Sequence, residues 1–193
     1  MMNTMTIYLA SGSPRRKMLL EKIGIKFQVI NPITEELSER GIDPEIYVKN
    51  TAIQKAKSVE SKIEEGIIIA ADTIVVKDNE ILGKPSNRQD ALRMLKILNG
   101  TAHFVYTAVV VLDKKSGHME LEVEKTKVEM RKLDNKEIQK YINSGEPMDA
   151  AGAYKIQEGA ASFIKRIEGC YYNVVGLPLA TLIEMLKKFD IKI

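Results

Sequence analysis

Residues 67–82 read Ile67-Ile-Ile-Ala-Ala-Asp-Thr-Ile-Val-Val-Lys-Asp-Asn-Glu-Ile-Leu82, and their order decides the fold class. Ile67 to Ala71 is a continuous apolar run of strand length, the pattern of a strand buried on both faces. It delivers Asp72-Thr73. Ile74 to Val76 and Glu80 to Leu82 then read as a hairpin around Lys77-Asp78-Asn79. A doubly buried strand belongs to an α/β sheet, whereas a hairpin makes antiparallel neighbours. Their succession implies a mixed sheet with helices packed on it, not a purely parallel doubly wound fold.

The flanking sequence repeats this alternation. Ile7 to Ala10 is a short buried strand, broken by Ser11-Gly12-Ser13-Pro14. Pro14 suits a first helical position and Ser13 an N-cap, which predicts a helix to about Lys22 with Gly24 past its end. Phe27 to Ile30 reads as a strand, and the stretch from Asn31 to Asp43 is polar and loop-like. Asp43-Pro44 opens a helix to about Glu64 with an apolar stripe of Ile46, Ala52, Ile53, Ala56, Val59 and Ile63. Ser86 or Asn87 caps a helix to Leu98. Two long strands follow, about His103–Asp113 and His118–Arg131, joined by Lys114-Lys115-Ser116-Gly117. Asp134 with Glu137 resembles a capping box opening a helix that stops at Gly145. Short strands are expected at Tyr154–Ile156 and Phe163–Ile167, and a last helix from about Pro178 to Phe189. There is no repeat, no low-complexity tract and no linker, so one domain of 193 residues is expected.

Composition narrows the function classes. With 29 basic and 26 acidic residues the net charge is +3, too balanced for a nucleic-acid coat or a polybasic membrane anchor. Aromatics are 6%, which argues against a single-stranded nucleic-acid platform. One cysteine, Cys170, forbids an intrachain disulfide and agrees with a reducing, cytoplasmic setting. One Cys and two His cannot assemble a structural zinc site, so a metal here would be a hard cation held by oxygens. The N-terminal residues carry no basic region followed by an apolar stretch, and the apolar runs are too short to span a bilayer.

Five segments could carry chemistry. In Leu9-Ala-Ser-Gly-Ser-Pro-Arg-Arg16 a strand gives way through small residues to a helix. Such a helix start attracts phosphate, Ser11 and Ser13 add hydroxyls, and Arg15 and Arg16 add planar donors. The plainer reading is a capped helix with two surface arginines. Asp72, after a buried strand, could bind Mg²⁺ or take a proton from water, or could simply start a turn. Lys84 in Gly83-Lys84-Pro85 is held toward extended backbone and could reach a phosphate, or be an ordinary surface lysine. Lys55 falls at the rim of its helix's apolar stripe, where a lysine snorkels or points its charge into a cleft. In Ala151-Gly-Ala-Tyr-Lys-Ile-Gln157 small residues let a flat ligand approach, or let strands pack closely. Gln157 can hydrogen-bond a base edge.

In this order, the five segments, closed by Asn173-Val-Val-Gly-Leu-Pro-Leu179, resemble the Maf family of nucleotide pyrophosphatases over essentially the whole chain. The resemblance implies an elongated α/β fold akin to the inosine triphosphate pyrophosphatases: a mixed twisted sheet flanked by helices, two lobes and a central cleft. It implies frequent homodimers and hydrolysis of a nucleoside triphosphate between its α and β phosphates. By position, Asp72 matches the aspartate taken as proton acceptor, and Glu36 a glutamate expected with Asp72 at a divalent metal, Mg²⁺ or Mn²⁺. Ser11, Arg16, Lys55 and Lys84 match polar and basic positions around the phosphates.

Arg15, Thr73 and Gln157 together look like the subgroup acting on dTTP and UTP. The subgroup resembling 7-methyl-GTP pyrophosphatases carries a Trp where Arg15 stands, and this chain has no Trp. Gln157 can complement uracil or thymine, though a flipped amide also complements cytosine. Departures from the family pattern are Cys170, where Ser is common, and Asn50-Thr51 ahead of Lys55. Cys170 reads as a small packed residue, not a nucleophile. Modified pyrimidine triphosphates are further candidate substrates, and the rival function is a non-catalytic nucleotide-binding regulator of cell division and septum formation.

Overall fold

The structure is a computed structural model that describes residues 5–33 and 41–191. Glu36 lies outside the described residues. Seven strands form one mixed sheet in the order β2-β1-β3-β5-β6-β7, with β4 also paired to β3. They are β1 (Ile7–Ala10), β2 (Gln28–Val29), β3 (Ile67–Lys77), β4 (Glu80–Leu82), β5 (Ala102–Asp113), β6 (Met119–Met130) and β7 (Ile164–Glu168). The helices are α1 (Pro14–Lys22), α2 (Pro44–Glu60), α3 (Arg88–Leu98), α4 (Asn135–Asn143), α5 (Tyr171–Val175) and α6 (Leu179–Lys187). The expected mixed α/β class is therefore the observed one. Contacts divide the chain into two compact units: Met1–Asp72, Thr107–Glu124 and Gly176–Ile193 in the first, and Thr73–Tyr106 with Lys125–Val175 in the second.

In the first unit β1 runs parallel to β2 and to β3, in the register Ile7↔Ile67 through Ala10↔Ala70. Ile67 to Ala71 are wholly buried, as befits a parallel strand covered on both faces. Asp43 caps α2, its Oδ1 accepting from the N–H groups of Glu45 (2.9 Å) and Ile46 (3.1 Å). Pro44 follows at the first helical position, where its missing N–H costs nothing. The buried face of α2 is Val48, Ala52, Ala56 and Val59. Two expectations fail here. The helix stops at Glu60, and Ile46 is exposed while Val48 takes the inward place.

In the second unit the end of β3 turns back into β4, pairing Val75↔Leu82 and Lys77↔Glu80. Asp78 and Asn79 both have positive φ (48° and 65°), the conformation a two-residue hairpin turn requires. Asn87 caps α3, accepting from the Asp90 N–H. Asp134 and Glu137 form the expected capping box on α4. Tyr154–Ile156 is not a strand. It follows a turn in which Gly152 (φ 66°) and Ala153 (φ 60°) are both left-handed. The short α5 was not foreseen.

Candidate functional site

The β1–β3 register sets up the first group of side chains. Ala10 lies against Ala70, so the Ser11 loop leaves β1 alongside the part of β3 that carries Asp72. Asp72 does not end its strand, as the apolar run suggested. It lies within β3, between the residues paired to β1 (67–70) and those paired to β4 (75–77). The polar pair Asp72-Thr73 thus occupies the stretch where β3 changes partners.

Asp72 Oδ1 receives a hydrogen bond from Lys55 Nζ at 2.6 Å, with side chains only 13% and 18% exposed. Lys55 therefore points its charge inward from α2 and does not snorkel outward. Arg16, the buried residue of α1's first turn, donates from Nε to the Gly176 carbonyl (2.9 Å) and from Nη1 to Ser11 Oγ (3.3 Å). Burial, and to a lesser degree the charge of Arg15, pull its pKa down to about 10, while Asp72 pushes the other way. The guanidinium stays charged at neutral pH.

Ser11 Oγ accepts a second hydrogen bond, from the Ser13 N–H at 3.1 Å. Both lone pairs of that hydroxyl are then used, and its O–H is left as a donor for another group. Ser13 stands at the N-cap of α1 without capping through its side chain. The helix start thus keeps its partial positive charge beside a buried arginine. Arg15 is half-buried on the same turn. Gly12 is constrained by Asn31, whose Oδ1 would lie 3.3 Å from a Cβ there.

The second unit carries the remaining residues. Lys84 is exposed and donates to Asp149 Oδ1. The Gly83 carbonyl accepts from the Gly152 N–H at 3.0 Å, which joins the Gly83-Lys84-Pro85 segment to the Ala151–Gln157 segment. A Cβ on Gly152 would meet Val75 Cγ2 at 2.8 Å, so this position admits only glycine. Gln157 is half-buried, and its amide nitrogen donates to Glu158 at 3.2 Å. Thr73 is half-buried in β3. Cys170 behaves as a packed residue: its Sγ accepts from the Asn173 N–H at 3.4 Å, and its backbone is paired to Thr126.

The structure thus brings Ser11, Arg16, Lys55 and Asp72 together in one unit, and Lys84 with the glutamine-bearing segment in the other. Sequence reasoning missed Asp149 and Gly176. Each lies next to or within a quoted motif, but nothing local shows that it meets Lys84 or Arg16. For a hard cation, Asp72 offers a carboxylate oxygen, and the described residues gather no group of three or more His, Cys, Asp or Glu. That donor set fits an ion held by one or two carboxylates together with phosphate oxygens, the usual manner of Mg²⁺.

A buried guanidinium and a donor hydroxyl at the start of α1, with a lysine–carboxylate pair where β3 changes partners, define an α/β protein whose polar groups are of the kind that bind phosphate. The chain belongs to the Maf family: the family model described as "Maf-like protein" matches residues 6–189. It is 48% identical over 183 residues to a dTTP/UTP pyrophosphatase of Pelotomaculum thermopropionicum, covering 95% of this chain and 96% of that one. A dTTP/UTP pyrophosphatase of Caldanaerobacter subterraneus is 46% identical, covering 99% of this chain and 93% of its own. One of Acetivibrio thermocellus is 44% identical, covering 97% and 96%. No helix among the described residues is long and apolar enough to cross a membrane.

Proposed function

We propose that this protein is a nucleoside triphosphate pyrophosphatase that hydrolyses dTTP and UTP to the monophosphate and pyrophosphate. The observation that carries the reading is the 44–48% identity, over nearly the whole chain, to relatives of that name. The geometry supports it. A triphosphate brings about four negative charges, and phosphoryl transfer is catalysed chiefly by neutralising and positioning them. Arg16, the Ser11 hydroxyl, Arg15, Ser13 and the start of α1 bind phosphate oxygens in this reading, and Lys55 and Lys84 add charge.

Asp72 accepts a proton from the water whose oxygen bonds to the α phosphorus as the α–β bridging bond breaks. Lys55 holds that carboxylate in place through its hydrogen bond to Oδ1. Thr73 and Gln157 contact the nucleotide, Gln157 at the O4 and N3–H edge of the pyrimidine. A Mg²⁺ or Mn²⁺ would be held by Asp72, with Glu36 as the second ligand, and would supply charge neutralisation at the phosphates. A cytoplasmic homodimer is part of the same reading.

The test is a pyrophosphate-release assay over the common and the 5-modified nucleoside triphosphates. Turnover of dTTP and UTP above CTP, ATP and GTP supports the reading. Tight nucleotide binding with no turnover would make the protein a regulator instead.

A further inference from the structure

We infer that His103 is a positioning residue: through Tyr154 it holds the left-handed turn at Gly152-Ala153, and so fixes the segment from which Gln157 meets the base. This rests on the pyrimidine-triphosphate reading above.

The segment is built with alternate sides. Gly152, Ala153, Tyr154 and Ile156 are buried, whereas Lys155 and Gln157 are only half-buried. Its backbone is unfavourable at one point, since Ala153 has φ 60°. A left-handed alanine is strained and persists only where its surroundings over-determine it. Upstream, the Gly152 N–H bonds to Gly83 O and the Ala153 N–H to Ala150 O, each at 3.0 Å. Downstream, Tyr154 is anchored by its hydroxyl, 2.8 Å from His103 Nε2, with the two rings edge to face at 5.4 Å. Beyond it, the Lys155 N–H bonds to Tyr141 Oη (3.0 Å), and Tyr141 in turn donates to Glu146, which accepts from the Gly159 N–H.

Packing alone does not call for an imidazole at position 103. His103 is 1% exposed, and its Nδ1 finds no hydrogen-bond partner among the described residues. A buried polar atom left unpaired is a cost that an apolar side chain on β5 would avoid. What the imidazole contributes is the bond to Tyr154. Both groups keep the protonation state this bond needs. Burial, aided by the charge of Lys77, lowers the His103 pKa to about 4, and burial raises that of the Tyr154 phenol.

The experiment compares His103→Leu, His103→Gln, Tyr154→Phe and the Leu/Phe double variant in full-length protein. Melting curves confirm folding, and kcat and KM are measured on UTP and CTP. The loss of one buried hydrogen bond is expected to lower the UTP-over-CTP ratio of kcat/KM about tenfold in His103→Leu and Tyr154→Phe, mostly through KM. The double variant should be no worse than either single one, and His103→Gln, whose amide reaches the same hydroxyl, should recover most of the ratio.

Hydrogen exchange read by mass spectrometry without substrate gives a second measure. His103→Leu should speed exchange across residues 151–157 and leave 135–143 unchanged. If folded His103→Leu keeps both the wild-type ratio and wild-type exchange, the proposal is overturned. If the wild type turns over neither nucleotide, the pyrimidine reading fails, and the exchange result alone decides whether His103 positions the segment.

Discussion

Lys55 and Asp72, seventeen residues apart on α2 and β3, meet with Nζ 2.6 Å from Oδ1, both more than four-fifths withdrawn from solvent. Neither charge is comfortable there alone. Removing one partner of a buried pair costs more than the pair contributes, because the other charge is stranded. The pair therefore fixes the orientation of the Asp72 carboxylate, which suits the proton-acceptor role proposed for it.

Asp72→Asn keeps the shape and removes the proposed proton acceptor. The turnover number on dTTP and UTP is expected to fall at least ~10²-fold, the low end for loss of a general base. Steady-state pyrophosphate release measures it, and turnover near the wild-type value would remove Asp72 from the chemistry.

Arg16→Lys preserves charge but not the fork that reaches both Gly176 O and Ser11 Oγ. Losing one of these charge-assisted bonds should cost about 1.5–3 kcal/mol of stability, read from urea denaturation. KM for the triphosphate should rise as well. An unchanged midpoint and KM would mean that the buried guanidinium neither holds the Ser11 loop nor binds phosphate.

His103 gives stability a pH dependence whose sign is fixed. Its pKa is about 4 in the folded protein, against 6.5 ordinarily. Between those values the unfolded chain binds the extra proton, so stability is complete above pH 6.5 and is lost as pH falls toward 4. A displacement of this size amounts to roughly 3 kcal/mol. Denaturation of wild type and His103→Gln at pH 7, 5.5 and 4.5 should show the wild type losing more on acidification. Parallel curves would contradict a buried neutral imidazole.

Chelation should abolish turnover of UTP, and added Mg²⁺ or Mn²⁺ should restore it, because a triphosphate's charge is neutralised largely by the ion it brings. Full activity in excess chelator would leave Arg16, Lys55 and Lys84 as sufficient counter-charge.

Local signals made most elements legible. Asp43, Asn87 and Asp134 stood at helix starts because each offers a carboxylate or amide oxygen to first-turn N–H groups, and each does so. Asp72-Thr73 looked like a strand end because polar residues interrupt an apolar run. The strand continues because its ladder partner changes there, which periodicity does not encode. Tyr154–Ile156 read as a strand on propensity alone, yet two left-handed residues precede it and its Lys155 N–H pairs with a tyrosine hydroxyl. Lys55 showed its position on the helix but not its partner. The Arg16–Gly176 and His103–Tyr154 bonds join residues 160 and 51 apart, distances over which sequence pattern is silent.

The most direct measurement is product analysis of UTP turnover in water enriched in ¹⁸O. Attack of water on the α phosphorus gives UMP and pyrophosphate in equal amounts, with the heavy oxygen in UMP. Label in the pyrophosphate, or UDP with inorganic phosphate as products, would contradict hydrolysis at the α phosphorus.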